Sequence, residues 1–269
     1  MSRLDKRTFE KFRRLVYDKS GISLGEQKEA LVAARIGKRM RTLNMESFDA
    51  YLKFVTRDES GEEVVHLIDA ISTNVTGFFR EPEHFDFLAK VLAKWRDSGQ
   101  TRFRIWSAAG STGEEPFTLA MVMLETLGSR ASNVRILATD ISTQVLERCR
   151  VGAYKKERLA AVPSAMRDRY FVRAGNRHSP HYVAKEELRR ILLFKRLNLS
   201  TPPFPMRGPL DCVFCRNVMI YFDNEVRGKL LAEIYRLLKP GGYLMVGHAE
   251  SLTGMVSDFK TVRPSIYTK

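Results

Sequence analysis

The stretch "IWSAAGSTGEEPFTLAM", residues 105–121, places two glycines and two carboxylates in the turn after a predicted strand. Gly110 and Gly113 stand where a dinucleotide-binding turn carries the glycines that let the backbone approach a pyrophosphate. Glu114 and Glu115 open the helix that follows, and carboxylates at a helix N-terminus would repel a phosphate. The turn therefore predicts a ligand that carries hydroxyls or a cationic group and no phosphate.

A further acidic residue ends the next predicted strand, "VRILATD". Asp140 is its last residue, and a carboxylate in that position is suited to accept hydrogen bonds from ribose hydroxyls. S-Adenosylmethionine fits this combination, because it has a ribose, an adenine, a sulfonium and an amino acid tail but no phosphate. Taken alone, Glu114 and Glu115 could equally serve to stabilise the helix N-terminus by their charge. The presence of Asp140 at the end of the next strand favours the interpretation that these acidic residues bind a ligand.

Other residues of chemically active types carry weaker signals. Cys212 and Cys215 have a Cys-x-x-Cys spacing, but on the strand predicted for "LDCVFC" they face opposite sides. We therefore expect core thiols rather than a disulfide or a zinc site. His178 and His181 lie in a polar loop and are expected to be solvated, and His248 follows a strand end at the rim of the predicted site. No metal is predicted.

The elements that must position these residues begin at residue 102, where predicted strands alternate with predicted helices. This alternation indicates an α/β fold with a mainly parallel sheet. Its strands are "FRIWSA", "VRILATD", "LDCVFC" and "KPGGYLMVG", and "DFKTV" and "SIYTK" close the chain as an antiparallel hairpin. Ligands of such sheets bind beyond the carboxyl ends of the strands, which is where the turn at 109–115, Asp140 and "CRNVMIYF" fall.

The first 70 residues follow helical spacing and predict a small all-α domain. Apolar stripes are expected at Phe9, Phe12, Leu15 and Val16, and at Leu31, Ala34, Ile36 and Met40; Ser47 is expected to cap a third helix, and Glu62–Ile71 to form a fourth. Residues 1–41 hold twelve Lys/Arg and five Asp/Glu, which is half of the net charge of +14. Such a charge suits nucleic acid, an acidic membrane face, an acidic protein surface or plain solvation, and does not select among them.

We predict three segments: a helical domain at 1–78, a connecting helix at 79–100 that begins near Pro82, and a ligand-binding domain at 101–269 with a small β insertion near 178–197. The N-terminus is charged and lacks the apolar region of a secretory signal. A run of about 18 apolar residues is also absent from the sequence. A cytoplasmic location without membrane insertion is therefore expected.

Five motifs in order give a more specific identification: "NVTGFFRE" at 74–81, "AGSTGEEPFTLA" at 109–120, "ATDIS" at 138–142, "FCRNVMIYF" at 214–222 and "GHAES" at 247–251. Together they resemble the CheR family of chemotaxis methyltransferases, and the likeness runs through nearly the whole chain. It implies a class I S-adenosylmethionine-dependent methyltransferase fold with the small all-α N-terminal domain. It also implies methylation of chemoreceptor glutamates, with S-adenosylhomocysteine as product, in chemotaxis adaptation.

The resemblance implies a set of residues that hold the methyl donor: Asn74, Thr76, Arg80, Glu114, Glu115, Asp140, Asn198, Leu199, Arg216 and Asn217. Arg80 and Tyr221 are the expected catalytic residues. A γ-carboxylate is already ionised at neutral pH, so it needs no base and catalysis should come from orientation and desolvation. The Arg80 guanidinium matches a carboxylate, and Tyr221 could bond the substrate or the donor methyl region. An ion pair of Arg80 with Glu81 or Glu83, and a core role for Tyr221, are the plain alternatives.

The resemblance also implies the partner, which is the cytoplasmic domain of a chemoreceptor. The helix with Arg35, Lys38, Arg39 and Arg41 is expected to recognise an acidic receptor helix, and the protein is expected to be a monomer that binds no nucleic acid.

Two other functions remain open at this stage. One is an RNA or DNA methyltransferase, since the pI is near 9.8 and "NVMIY" is faintly similar to an Asn-Pro-Pro-Tyr loop, although its prolines are absent. The other is an adaptor that binds S-adenosylmethionine without methyl transfer, against which the presence of Arg80 and Tyr221 argues.

Overall fold

Four helices build the N-terminal domain in the computed structural model, which describes residues 3–176, 180–252, 254, 255 and 257–269, without the side chains of residues 129, 130 and 132. They are α1 (Lys6–Ser20), α2 (Glu29–Thr42), α3 (Phe48–Arg57) and α4 (Glu62–Ile71). Asp5 caps α1 by accepting a hydrogen bond of 2.9 Å from the Thr8 backbone. Ser47 caps α3, as its position before the apolar stripe predicts.

The apolar stripe of α1 is buried at Phe9, Phe12 and Val16 and half-buried at Leu15, whereas two of the four positions predicted for α2 are exposed. Leu31 and Ala34 are exposed, whereas Val32 is buried together with Ile36 and Met40. These three buried residues are spaced by four, so they share one helix face. The side chain of Leu31 instead borders the cavity described below.

The second domain alternates strands and helices. Its helices are α5 (Glu83–Asp97), α6 (Glu114–Leu127), α7 (Thr143–Val151), α8 (Ser164–Tyr170), α9 (Glu186–Arg189) and α10 (Asn224–Leu237). Its strands are β1 (Phe103–Ser107), β2 (Val134–Asp140), β3 (Ala153–Lys155), β4 (Phe171–Ala174), β5 (His181–Ala184), β6 (Leu192–Arg196), β7 (Leu210–Cys215), β8 (Leu238–Val246), β9 (Lys260–Arg263) and β10 (Ile266–Thr268).

Seven strands of the described residues form the large sheet, in the order β6-β2-β1-β7-β8-β10-β9. The first five are parallel, and β10 pairs antiparallel with β8 and β9, so the predicted class I methyltransferase sheet with its C-terminal hairpin is confirmed. The chain runs from β1 through β2 to β6 on one side, and then crosses to β7 on the other side of β1. The strand order therefore reverses at β1, where a crevice for a ligand is expected.

The small inserted sheet overlaps the predicted segment near 178–197 only at β5 and otherwise lies earlier in the chain. Strands β3, β5 and β4 pair antiparallel into a separate small sheet, so this unit begins at Ala153. Leu192–Arg196 is instead the edge strand of the large sheet, because it pairs parallel with β2. His181 lies on β5 and is half-buried, and His178 is outside the described residues.

Helix α5, expected as a connection, is part of the second domain's core. The Phe85 ring stacks on Phe214 of β7 at 5.7 Å between centroids, and α5 packs along α6. Cys212 and Cys215 are buried free thiols in the apolar clusters on opposite faces of the sheet. Among the described residues, no helix has the length and apolar character needed to cross a bilayer.

Candidate functional site

A cavity lies beyond the carboxyl ends of β1, β2 and β7, and the N-terminal domain closes its other side. Ala108 and Ala109 follow β1, Asp140 ends β2, and Arg216 follows β7. The sequence-predicted residues on its wall are Asn74, Thr76, Arg80, Glu115, Asp140, Asn198, Leu199, Arg216, Asn217, Tyr221 and Arg35. Sequence-distant residues thus meet in one cavity because parallel strands end at one sheet edge.

Asp140 is fixed in this cavity by the two turns beside it. Its Oδ2 accepts a hydrogen bond of 2.9 Å from the Ser111 backbone, and its Oδ1 accepts one of 3.0 Å from the Ser142 backbone. Burial raises the pKa of Asp140, while these backbone donors act in the opposite direction. Each carboxylate oxygen can accept a second bond, so Asp140 can still receive ligand hydroxyls.

The turn after β1 is closely packed at both of its glycines. A Cβ atom on Gly110 would lie 3.1 Å from the Pro116 side chain and 3.4 Å from the Ala138 Cβ. Gly113 has a φ of 101°, and a Cβ there would lie 2.4 Å from the Tyr154 hydroxyl. The absence of side chains at these positions lets the turn fold tightly against β2 and the small sheet.

The two glutamates that open α6 point to different places. Glu115 borders the cavity, where its Oε1 accepts a hydrogen bond of 2.7 Å from Ser107. Glu114 is fully buried on another side, where its carboxylate accepts hydrogen bonds from Thr112, at 2.6 Å, and from Arg158. The expectation that both bind the donor thus holds geometrically for Glu115 alone, because adjacent helical residues point about 100° apart.

Arg158 links the small sheet to the segment before α5 by hydrogen bonds. It follows β3, and its Nη2 atom donates both to Glu114 and to the Thr76 carbonyl, at 3.2 Å. Asn74 is held from the first turn, since its carbonyl accepts a 3.1 Å hydrogen bond from the Ser111 hydroxyl. The loop that carries Asn74 and Thr76 is therefore anchored on two sides.

Arg216 forms the most deeply buried ion pairs of the cavity. It is 2 % exposed and lies 3.0 Å from Glu115 and 3.0 Å from Glu81. Burial raises the pKa of Glu115 despite this cation. At Glu81 burial also acts to raise the pKa, but the hydrogen bonds from Arg216 and Asn217 outweigh it and lower the pKa. Both acids thus hold the guanidinium in one orientation.

Asn217 is held by acidic side chains that sequence reasoning did not assign. Its backbone N–H donates to Glu250 at 2.6 Å, and its Nδ2 lies 3.3 Å from Glu81. Glu250 also accepts from the Gly247 and Ile220 backbones, at 2.7 and 3.2 Å. The motifs "NVTGFFRE" and "GHAES" contain these two glutamates and were the available signal for them.

The contacts of the Arg80 side chain leave much of its guanidinium accessible. Its Nη1 atom donates to the Val75 carbonyl at 2.9 Å, and its Nε lies 4.0 Å from Glu81. The side chain is 40 % exposed and borders the cavity. The ion pair with Glu81 is thus long, and Arg80 remains able to meet a second carboxylate.

Tyr221 and the segment after β6 connect the cavity to the N-terminal domain. Tyr221 is half-buried, its carbonyl accepts a 2.8 Å hydrogen bond from Ser23, and the Lys28 ammonium lies 5.8 Å from its ring. Asn198 donates to the Lys19 carbonyl at 3.0 Å, and Leu199 is buried. Tyr221 is therefore a wall residue of the cavity rather than a core aromatic.

The four basic residues of α2 divide into two pairs. Arg35 donates to the carbonyls of Ile71 and Ser72 at the end of α4, and Arg39 pairs with Glu63 at 2.6 Å. Lys38 and Arg41 are exposed. The expectation that all four recognise a partner is corrected for Arg35 and Arg39, because their guanidiniums are bound to groups of the same domain.

The arrangement fits a donor without phosphate. The acidic side chains Glu115 and Asp140 lie where the N-terminus of α6 meets the cavity, and Asp140 retains acceptor capacity for hydroxyls. Arg80, Lys28 and Arg35 also line the cavity and supply positive charge there. The cavity can therefore bind a nucleoside with a cationic centre beside a second, anionic substrate group.

Comparison with known proteins gives matches over nearly the whole chain. Residues 7–72 match the family model described as CheR methyltransferase, all-alpha domain, and residues 74–268 match CheR methyltransferase, SAM binding domain. A chemotaxis protein methyltransferase 2 of Pseudomonas aeruginosa is 39% identical over 97% of this chain and 92% of its own length. A chemotaxis protein methyltransferase of Escherichia coli is 37% identical over 96% of this chain and 89% of its own.

Proposed function

The chain belongs to the CheR methyltransferase family and is an S-adenosylmethionine-dependent methyltransferase with a role in chemotaxis, and we propose that it methylates the γ-carboxylates of glutamates on chemoreceptor cytoplasmic helices. One observation carries the proposal: a single cavity joins the Asp140 end, suited to a nucleoside, to Arg80 and Tyr221, suited to a carboxylate. A cytoplasmic location, a monomeric state and recognition without nucleic acid belong to the same proposal.

In this proposal Asp140 binds the donor's ribose hydroxyls, while Asn74, Thr76, Glu115, Asn198, Leu199, Arg216 and Asn217 surround the remainder of the donor. The donor supplies a methyl group on a sulfonium, whose sulfur keeps the electron pair of the broken bond. The substrate carboxylate forms the new O–CH₃ bond and needs no proton removed, since it is ionised at neutral pH. The products are a glutamate methyl ester and S-adenosylhomocysteine.

Arg80 and Tyr221 act by position. The accessible Arg80 guanidinium pairs with the attacking carboxylate, which aligns one oxygen with the methyl carbon. Tyr221 closes the wall between the two domains and reaches the reacting region. Helix α2 then meets the receptor helix through Lys38 and Arg41, with long-range attraction that speeds encounter.

The test uses the chemistry of the product. The protein is incubated with methyl-labelled S-adenosylmethionine and either receptor-containing membranes or RNA, and the products are treated with mild base. We expect volatile labelled methanol from the receptor sample, because base hydrolyses a methyl ester. Label that stays on RNA, or receptor label that resists base, would contradict the proposal.

A further inference from the structure

Three side chains of metal-binding types meet next to the cavity, beside the wall residues Arg216 and Asn217. Glu81 lies just before α5, His84 lies in the first turn of α5, and His248 follows β8. None of the three belongs to the cavity wall. They come from the motifs "NVTGFFRE" and "GHAES" and from the start of α5, and methyl transfer as described above assigns no task to either imidazole.

The geometry is close to that of a three-ligand metal site. One nitrogen of each imidazole and one Glu81 oxygen all lie within 4.8 Å of one another, and the His84 Nδ1 is 3.6 Å from the Glu81 Oε2. Two ligand atoms bound tetrahedrally at about 2.1 Å from zinc stand about 3.4 Å apart. The distance of 3.6 Å between His84 Nδ1 and Glu81 Oε2 is close to this value. The His248 side chain is 52 % exposed, so its ring is free to rotate toward Glu81 and His84 until its nitrogen reaches the same spacing.

His84 gives an independent indication that a ligand is missing from this place. The side chain is 1 % exposed, and within the described part of the chain neither of its ring nitrogens has a hydrogen-bond partner. Buried polar atoms without partners are rare and costly in native proteins.

The local charge also accommodates a cation. Glu81 and Glu115 flank the buried Arg216, and Glu83 lies 3.8 Å from His248 at the exposed side of the cluster. Two carboxylates thus flank the buried guanidinium, and the third lies beside His248. The three carboxylates outnumber the two guanidiniums near Glu81, which belong to Arg216 and Arg80, so the cluster can accept a cation. Both oxygens of Glu81 can be shared between the ion and the groups that already hold it.

We propose that Glu81, His84 and His248 form a binding site for a divalent transition-metal ion of the zinc class. Two imidazoles and one carboxylate are a common zinc ligand set, with a fourth position left to water. The ion takes no part in methyl transfer. Because Glu81 also bonds Arg216 and Asn217, which border the cavity, an ion that draws on Glu81 loosens these two residues and weakens donor binding.

The test titrates Zn²⁺ into the untagged, chelator-treated full chain by isothermal calorimetry, without donor or receptor. We expect one saturable site per chain. His248→Ala, on an exposed side chain, should weaken binding roughly tenfold or more, since even outer partners of metal ligands are worth that much. His181→Ala on the small sheet is the matched control and should bind as the parent does. The thiols do not interfere, because all three are buried.

His84→Gln removes the buried imidazole ligand, whereas His248→Ala removes the exposed one. The His84→Gln variant, checked for folding by its melting temperature, should also lose Zn²⁺ binding. Parent protein without saturable Zn²⁺ binding, or His248→Ala with unchanged affinity, would overturn the proposal and leave a buried water as the partner of His84.

The coupling to the cavity is measured separately: Zn²⁺ should lower S-adenosylhomocysteine affinity in the parent and not in His248→Ala. Equal affinities would overturn the coupling. The metal titration contains no methyl acceptor, so its outcome is independent of the proposed substrate.

Discussion

The guanidinium of Arg39 and the carboxylate of Glu63 are joined by two hydrogen bonds, of 2.9 and 2.6 Å, inside the N-terminal domain. The Tyr51 hydroxyl donates to the same carboxylate at 2.7 Å. The ion pair links α2 to α4, and the Arg39 charge balances the negative charge of the buried Glu63 carboxylate. A basic residue that the sequence assigns to partner recognition is thereby used for folding.

Arg39→Ala is therefore predicted to destabilise the protein. It leaves the buried Glu63 carboxylate with fewer partners, which should lower the free energy of unfolding by about 1–3 kcal/mol. Lys38→Ala removes an equal charge from an exposed neighbour and should stay within about 0.5 kcal/mol of the parent. Urea denaturation compares the two variants, and equal midpoints would contradict the role given to the pair.

The double variant Lys38→Ala/Arg41→Ala is predicted to impair receptor encounter. Loss of two exposed charges should raise the apparent KM for receptor and flatten its salt dependence, because screening acts over about 10 Å at 0.1 M salt. Affinity for S-adenosylmethionine should not change, since neither residue borders the cavity. Lys90→Ala/Lys94→Ala on the exposed side of α5 is the charge-matched control. Receptor kinetics identical in the two double variants would make α2 an ordinary solvated helix.

Stability at acid pH is predicted to depend on Glu63. Burial acts to raise its pKa, but hydrogen bonds from Arg39 and Tyr51 outweigh burial and lower the pKa below 4.5. The unfolded chain thus binds a proton on this group at a higher pH than the native chain does. The contribution of the Glu63 carboxylate to the free energy of unfolding is full above its unfolded-state pKa. It is lost as the pH falls through the native-state pKa.

Glu63→Gln has no titrating group at this position. Its stability relative to the parent should therefore rise as the pH is lowered below about 4.5. Thermal unfolding between pH 7 and pH 3 measures this difference. Parallel curves for parent and variant would show that Glu63 does not have a lowered native pKa.

Asp140→Ala is predicted to weaken the binding of S-adenosylhomocysteine by about 1–3 kcal/mol, through loss of hydrogen bonds to a buried carboxylate. Asp140→Asn keeps an acceptor oxygen and should lose less. Calorimetric titration gives both affinities, with the exposed Asp168→Ala as control. If Asp140→Ala binds the product as tightly as the control, Asp140 lies outside the donor site.

Arg80→Ala is predicted to slow methyl transfer without unfolding the protein. The Arg80 side chain is 40 % exposed, so the melting temperature of the variant should match that of the control Arg150→Ala, which changes an exposed residue of α7. A misaligned carboxylate can cost about 10²-fold in turnover. Initial rates with saturating donor and receptor measure the effect. A variant with full turnover would leave Arg80 without a catalytic role.

The sequence by itself determined strands β1, β2, β7 and β8, several of the long helices, and the edge of the sheet where the site lies. Glu62–Ile71 and Glu114–Leu127 form helices with the predicted bounds. Ser47 caps its helix, and Asp140 ends β2. These features depend on neighbouring residues: cap chemistry, helical spacing and strand alternation are short-range, and parallel strands must end at one edge.

Only the tertiary structure decided which way individual side chains point and what they meet. Glu115 reaches the cavity and Glu114 does not, although both open the same helix. Arg39 turns inward because Glu63, 24 residues later, is buried opposite it. β6 joins the large sheet instead of the insertion. Such choices depend on partners brought close by folding, and the free energy of burying a charge is set by those partners rather than by the sequence around it.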